Sequence, residues 1–416
     1  MHILFLTHYF PPEVNAPASR TYEHCKRWVE QGHKVTVVTC APNCPDGVVY
    51  AGYKNKHKAE TIDGINVVRV WTYLAPNKGF AKRIANYVSY MLNAVLHCIA
   101  MRKVDVVIAT SPQFFCGWAG VLLKWFRRWP FVLEIRDIWP ESIVTVGAMR
   151  KSKVISFLEV LEKLMYKAAD HIVAVGEGYK QRIVEKGIKP EKISVVINGV
   201  DLTRFQLMEK TSDLKQKFNA KGKFICSYIG TVGMAHGLEV VLKAARMCKE
   251  RKLDDLLFLI VGDGAERQNL ENKTKEKGLD QIVFTGRLPK EEMPSVIAAS
   301  DCCLVHLRGT ELFGTVIPSK IFELMAMNVP IIMGVRGEAQ EIVLKGKCGV
   351  AMEPDSPESL LECIGQIRGK GVESFAGRSY VSQTYDRDML ARKMLDIVQC
   401  QCGEMPASVI MEGSEV

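Results

Sequence analysis

Short apolar runs alternate with helix-patterned stretches along almost the whole of this 416-residue chain, and the alternation starts twice. Ile3-Leu4-Phe5-Leu6 is the first run. It is too short for a helix and apolar at every position, as a strand covered on both faces of a parallel sheet must be. Residues 18–31 follow with helical spacing, Tyr22, Cys25, Trp28 and Val29 on one side, and Gly32 closes them as a left-handed cap. Residues 35–39 are the next strand. Further strands are expected at 65–70, 104–109, 131–135, 171–175 and 193–197. From Asn198-Gly199-Val200-Asp201 to Lys223 polar residues take over, and the rhythm then restarts. Strands are expected at 224–229, 256–261, 282–285, 302–307 and 331–333, with helices at 238–251, 291–299 and 320–327. Alternating strands and helices build a parallel sheet covered by helices on both faces. The expected architecture is therefore α/β: two doubly wound Rossmann-like domains, residues 1–200 and 201–379, facing across a cleft. Ligands in such sheets sit beyond the carboxyl ends of the strands.

Composition narrows the class. The length suits two cores rather than one. A hydrophobic fraction of 48% and a charged fraction of 24% are those of a folded chain, and only the tail after Cys402 reads otherwise. The net charge of +9 suits an anionic ligand or an anionic membrane surface, and is too sparse for a dedicated nucleic-acid binder. The 13 cysteines lack metal-ligand spacing, so they read as buried or bystander thiols in a reducing cytoplasm. The start, Met1-His2-Ile3-Leu4-Phe5, reads as a strand and not as a secretory leader. No run of about 20 apolar residues is present to span a membrane.

The chemistry lies in the loops after the strands. Pro318-Ser319-Lys320-Ile321-Phe322-Glu323 opens a helix, with Ser319 placed to cap it and Lys320 in its first turn. A helix start with a cation attracts phosphate. Glu323, one turn on, can accept hydrogen bonds from vicinal sugar hydroxyls. The same residues are open to a plainer reading as a helix cap. Gly230, Gly233 and Gly237 fill the loop after residues 224–229, and Gly262-Asp263-Gly264 fills the next. Glycine there allows an anion close to the backbone, though any strand-to-helix turn needs glycine too. Asp263 is expected to cap a helix.

These motifs together resemble the donor-binding signature of retaining family 4 glycosyltransferases, the two-domain enzymes of the GT-B fold. Glu323-Leu324-Met325-Ala326 followed by Val329-Pro330 matches the second glutamate of that signature, which in the family binds the nucleotide ribose. The first glutamate, eight positions earlier, is Thr315 here. Pro-Ser-Lys before Phe-Glu resembles the subgroup that builds bacterial surface polysaccharides, including transferases of N-acetylated, N-acetylfucosamine-type amino sugars. The resemblance implies a loop at Thr315, Val316 and Ile317 over the donor sugar and diphosphate. It further implies phosphate contacts from Gly230, Gly233, Gly262, Ser319 and Lys320. His236 stands near the position of the family lysine, and Arg287 lies in the segment that packs on uracil. The family C-terminal helix crosses back onto the first domain, so residues 380–400 are expected to do the same.

The loop Glu134-Ile135-Arg136-Asp137-Ile138-Trp139-Pro140-Glu141-Ser142 resembles the Arg-Asp-x-Trp-Pro-Glu-Ser segment of that subgroup. Asp137 is the candidate base or orienting group near the acceptor hydroxyl, with Glu141 the alternative and Lys320 the cation on the leaving diphosphate. Arg136 and Asp137 are also open to a reading in which they only brace the loop by pairing. Asn15, Arg20 and Ser111 are the remaining acceptor candidates, Arg20 for an acceptor phosphate.

The resemblance implies a reaction that moves a sugar, an N-acetylated hexosamine with or without a 6-deoxy carbon, from a UDP-sugar to a lipid-linked or saccharide acceptor with retention of configuration. It needs no metal or other cofactor, and domain closure excludes water. Two stretches, residues 80–103 and 122–130, mix apolar and basic residues. They fit either an anchor at the inner face of the cytoplasmic membrane or ordinary core helices with charged ends. A nucleotide-sugar 2-epimerase of the same fold and a non-catalytic sugar-nucleotide binder are the competing classes. A nicotinamide dehydrogenase is set aside, because Phe10-Pro-Pro-Glu-Val-Asn replaces the glycine fingerprint after the first strand.

Overall fold

The computed structural model describes residues 1–44, 47–74, 80–142, 152–208, 215, 216, 218 and 220–403. The tail beyond 403 lies outside the described residues. The chain divides into two compact units, one of Met1–Ile197 with Arg387–Val416, the other of Asn198–Asp386.

Unit 1 holds an eight-stranded sheet of order β3-β4-β2-β1-β5-β6-β7-β8. Its strands are β1 (His2–Leu6), β2 (Lys34–Cys40), β3 (Lys58–Ile62), β4 (Ile65–Val70), β5 (Val106–Thr110), β6 (Phe131–Ile135), β7 (His171–Ala174) and β8 (Ile193–Val195). Alternate side chains of a strand leave on opposite faces. Leu4 and Leu6 of β1 enter a core shared with α2 (Phe80–Ile99), α3 (Phe114–Arg127), α4 (Lys153–Ala168) and α5 (Glu177–Glu185). Ile3 and Phe5 enter the opposite core. There they meet Cys25 and Trp28 of α1 (Ala16–Glu30), and Leu390, Met394, Leu395 and Val398 of the C-terminal helix Arg387–Gln401. The second face of the unit 1 sheet is thus closed by residues from the far end of the chain. Trp28 Nε1 donates to the Ala391 carbonyl across 2.9 Å at that junction.

Unit 2 holds a six-stranded sheet of order β11-β10-β9-β12-β13-β14. The strands are β9 (Phe224–Ile229), β10 (Leu256–Val261), β11 (Ile282–Gly286), β12 (Cys302–His306), β13 (Ile331–Gly334) and β14 (Gly349–Ala351), all parallel. Its helices are α6 (Glu239–Glu250), α7 (Arg267–Glu276), α8 (Met293–Ala299), α9 (Lys320–Ala326), α10 (Glu338–Lys345), α11 (Pro357–Lys370) and α12 (Gly377–Thr384). Arg387–Gln401 of unit 1 is then α13.

Three features depart from the expected elements. β3 runs antiparallel to β4 through a turn in which Asp63 and Gly64 both have positive φ, as a tight hairpin demands. β14 is a three-residue edge strand. The helix expected over 380–400 is broken at Tyr385-Asp386. There the chain extends: the Val200 N–H donates to the Tyr385 carbonyl at 3.0 Å, and Val200 bridges Asp386. Ten of the 13 cysteines are buried and all are free thiols. No helix among the described residues is long and apolar enough to cross a membrane.

Candidate functional site

In unit 2 the carboxyl ends of β9, β10 and β11 are tied by their own backbones. The Gly230 N–H donates to the Val261 carbonyl (2.8 Å), the Gly262 N–H to the Gly286 carbonyl (2.9 Å) and the Val232 N–H to the Asp263 carbonyl (3.0 Å). Gly230 and Gly262 have φ of +145° and +139°, a region L side chains rarely enter. A Cβ on Gly262 would sit 1.8 Å from the Gly230 carbonyl oxygen, and one on Gly264 would sit 2.3 Å from that of Val232. These glycines are therefore required by the approach of one loop to the next, whatever else the loops bind.

Lys320 is brought to this point from α9. A Cβ on Gly230 would lie 2.6 Å from its Nζ, and the ammonium lies 4.2 Å from the centroid of the Tyr228 ring. Burial lowers the Lys320 pKa to about 8, against the opposing pull of Glu323 on the same helix. Lys320 is thus a desolvated cation beside a glycine loop, held against an aromatic face, with the Glu323 charge favouring its ionised form. His236 shares the location, its ring 6.0 Å from Tyr228. Burial, and then the Lys320 charge, push its pKa down to about 4. The imidazole is neutral, so it cannot replace the cation expected there. Its buried Nδ1 has no hydrogen-bond partner among the described residues.

Ser319 does not cap α9. Its backbone is already helical, and its Oγ accepts from Asn198 Nδ2 at 3.0 Å. The N–H groups of Ile321 and Phe322 are bonded to the carbonyls of Pro318 and Ser319. A seven-residue helix with two of its first amides used offers little field to an anion, so Lys320 carries the positive charge here. Asp263 does not cap α7; it accepts from the Gly264 N–H and faces Arg267 at 3.8 Å. Arg287 is exposed, and the guanidinium packed beside Gly286 is that of Arg267. Thr315 ends a 3-10 turn whose Gly314 carbonyl is covered by Gly337. Val316 donates to the Phe313 carbonyl at 3.1 Å, and Ile317 is buried. Gly233 lies beside the His236 ring, and Glu323 is half-buried on α9.

In unit 1 the organising group is Glu134 at the end of β6, fully buried. It accepts from Arg20 Nε at 2.8 Å and from Thr110 Oγ1 at 2.5 Å. Burial opposes its ionisation most strongly, but Arg20, Arg136, His24 and Thr110 together hold its pKa at about 2. The other two arms of Arg20 donate to the carbonyls of Val196 and Ile197. Arg20 is thus spent inside the unit, and the expectation that it meets an acceptor phosphate is corrected. Asn15 is likewise spent as the cap of α1, accepting from the Ala18 N–H at 2.9 Å. Ser111 Oγ accepts from the N–H groups of Arg136 (2.7 Å) and Asp137 (3.2 Å), which fixes the path of the loop. Arg136 donates to the Pro17 carbonyl at 3.2 Å, and burial lowers its pKa to about 10. No ion pair joins it to Asp137 among the described residues.

Asp137 takes a hydrogen bond from Ser142 Oγ at 3.0 Å. Burial raises its pKa to about 6, over the opposing bonds from Ser142 and the Ile138 backbone. A carboxylate that ionises near neutrality can accept a proton in a reaction and release it afterwards. Glu141, the alternative, is engaged by Arg182 at 3.3 Å and Lys186 at 3.6 Å.

Sequence reasoning passed over Tyr228, His306 and His8. Tyr228 supports Lys320. His306, buried at the end of β12, bonds the His236 carbonyl through Nδ1 (2.7 Å) and the Asp355 N–H through Nε2 (3.0 Å), and so fixes the His236 turn. His8, at the end of β1, bonds Asn86 at 2.9 Å and burial pushes its pKa to about 4. A histidine at the end of an apolar strand, or two residues past it, was the signal available for these two.

Two family models match the chain between them. Residues 15–199 match the glycosyl transferase 4-like domain and residues 209–368 match glycosyl transferases group 1. The chain is a glycosyltransferase. Among its relatives, the Escherichia coli K12 protein WcaI, named as a colanic acid biosynthesis glycosyl transferase, is 24% identical over 96% of this chain and all of its own. WbjE of Pseudomonas aeruginosa, named as a glycosyltransferase, is 26% identical over 78% of this chain and 81% of its own. Among solved structures, Anabaena HepE in complex with UDP and glucose superposes with a TM-score of 0.71 at 17% identity, over 95% of this glycosyltransferase and 99% of HepE. That likeness is one of fold, and the fold is GT-B.

Proposed function

We propose that this glycosyltransferase moves an N-acetylated hexosamine from a UDP-sugar to a lipid-linked or saccharide acceptor in surface polysaccharide biosynthesis, with retention of configuration. One observation carries the donor half: Lys320, desolvated and set against the Gly230 loop at the strand ends of unit 2. The ammonium neutralises the charge that grows on the leaving diphosphate, and the site supplies it ready-oriented. Glu323 receives the ribose hydroxyls, and Thr315, Val316 and Ile317 cover the sugar. UDP is supported by the presence of UDP and UDP-glucose in the HepE structures. The acceptor half belongs to unit 1. The acceptor oxygen forms the new bond to the anomeric carbon, its proton passes to Asp137, and the old C–O bond breaks with its electron pair leaving on UDP. A polysaccharide role is supported by the name of WcaI, and a lipid-linked acceptor would place the reaction at a membrane.

The test is calorimetric titration of UDP, other nucleoside diphosphates and UDP-N-acetylhexosamines into wild type, Lys320→Met and Glu323→Ala. UDP should bind the wild type at least roughly tenfold more tightly than it binds either variant. Binding that is indifferent to the nucleobase, or to both variants, would sink the donor assignment. Hydrolysis or epimerisation of the donor with no acceptor requirement would instead favour the epimerase class.

A further inference from the structure

Unit 1 carries an apolar surface that its cores do not use. Of the nineteen large apolar side chains exposed among the described residues, nine lie on α2, α3 and α4. These helices are neighbours in one layer. α2 packs on α3, and Gly117 of α3 meets α4 so closely that a Cβ there would stand 2.4 Å from Met165 Sδ. Leu92 and Leu96 of α2, Trp125 and Phe126 of α3, and Phe157 and Leu164 of α4 are each between 48% and 69% exposed. On α4 the outward apolar residues recur every three or four positions, at Val154, Phe157, Val160 and Leu164, while Ile155, Leu158 and Met165 fill the core. Such a helix is apolar on two sides, and an exposed patch of this extent marks a surface that is covered in use.

Charge selects what covers it. α2 and α3 contain no Asp or Glu, yet carry Lys82, Arg83, Lys124 and Arg127, of which Lys124 is paired with Asp170 and Arg127 donates to the Met101 carbonyl. α4 adds Lys153, Lys163 and Lys167 against exposed Glu159, its other acid, Glu162, being buried and bonded to Lys186. A groove of about 440 Å³ is lined by Lys124, Trp125, Arg128, Trp129 and Asp170, the acid paired with Lys124 at 2.6 Å, which leaves Arg128 as the unmatched charge among them. A second copy packed on this face through a two-fold axis would set cations against cations. An anionic bilayer satisfies both halves of the pattern: apolar side chains enter the headgroup zone and the lysines and arginines meet lipid phosphate.

We propose that the face formed by α2, α3 and α4 docks unit 1 onto an anionic lipid bilayer. The proposal does not rest on the identity of the sugar or the acceptor. Its test is flotation of the full chain with phosphatidylcholine vesicles, with and without phosphatidylglycerol, containing neither acceptor nor nucleotide. The protein should float only with the anionic vesicles and be released by salt. Phe157→Ser with Leu164→Ser, and separately Lys153→Glu with Lys163→Glu and Lys167→Glu, should each weaken binding at least roughly tenfold. The melting temperature, which checks folding, should stay that of the wild type. Trp125→Phe should reduce the blue shift of tryptophan emission on binding. Absence of binding, equal binding to neutral vesicles, or variants that float like the wild type would overturn the proposal. So would a wild-type dimer in solution that Phe157→Ser with Leu164→Ser converts to a monomer, since the face would then join two copies.

Discussion

Single side chains in this enzyme are decided by what burial does to their charge. Asp137 is held protonated up to about pH 6 by its surroundings. Transfer should therefore rise with pH through about 6, and Asp137→Asn should lower kcat roughly 10²–10⁴-fold and abolish that rise. The sign for stability is opposite to that of an acid whose pKa is lowered by a cation. A folded-state pKa raised above the unfolded value means that stability falls as pH rises from about 4 to above 6. Asp137→Asn should remove this decline, measured as urea midpoints across that range. Glu134 behaves the other way: its pKa of about 2 lies below the unfolded value. Its contribution is full above about pH 4.3 and is lost as pH falls toward 2. Arg20→Ala would leave Glu134 buried without its partner and should cost about 3–5 kcal/mol in urea unfolding. Lys320, lowered to about 8, should hold UDP less tightly as pH climbs past 8. Titrations at pH 7 and pH 9 should show the difference in the wild type and none in Lys320→Met. The sequence could place Asp137 and Lys320 after strands, where a cleft residue belongs. It could not show that Arg20, Asn15 and Ser111 were already occupied, because their partners lie 3 to 177 positions away.

Elements were legible where the apolar pattern was long and buried on both faces. All five residues of β1, β5 and β6 are buried, and their spacing alone identifies them. β3 escaped because Lys-Ala-Glu-Thr-Ile at a sheet edge is polar and mostly exposed, and β14 because three residues carry no period. The glycine loops were found for an incomplete reason: the sequence shows glycine after a strand, but not the neighbouring carbonyl against which it lies. Gly262→Ala should therefore destabilise unit 2 by roughly 2 kcal/mol or more, through both the clash with Gly230 and the strained φ. It should do so without any nucleotide present. A melting curve of the apo variant that matches wild type would show that the loops approach less closely than 1.8 Å implies.

At the scale of the whole molecule, α13 belongs to a unit that begins 386 residues earlier. Leu390, Met394, Leu395 and Val398 fill one face of the unit 1 sheet. At about 1.5–3 kcal/mol for each side chain buried, their loss is comparable to the entire stability of a domain. A chain ending at residue 386 should therefore keep unit 2 resistant to protease while unit 1 is digested, as limited proteolysis with mass spectrometry would reveal. The sequence announced two α/β series by their rhythm, but a helix at 387–401 looks the same whichever sheet it covers. Only the side chains it meets, Trp28 through the Ala391 carbonyl and Glu23 through Arg387, assign it to unit 1.

That arrangement also sets an order on biosynthesis. Domains usually fold as they emerge, the N-terminal one first, at about 5–20 residues per second. Here the first unit to be translated is the last to be completed. The nearly 190 residues between Ile197 and Arg387 must pass before α13 exists, an interval of roughly 10–40 s at that rate. Throughout it the nascent unit 1 has only α1 on that face of its sheet, and the part that Leu390, Met394, Leu395 and Val398 will cover stays open. A holding chaperone on the ribosome-bound chain would be needed most during that interval, and released by the final helix.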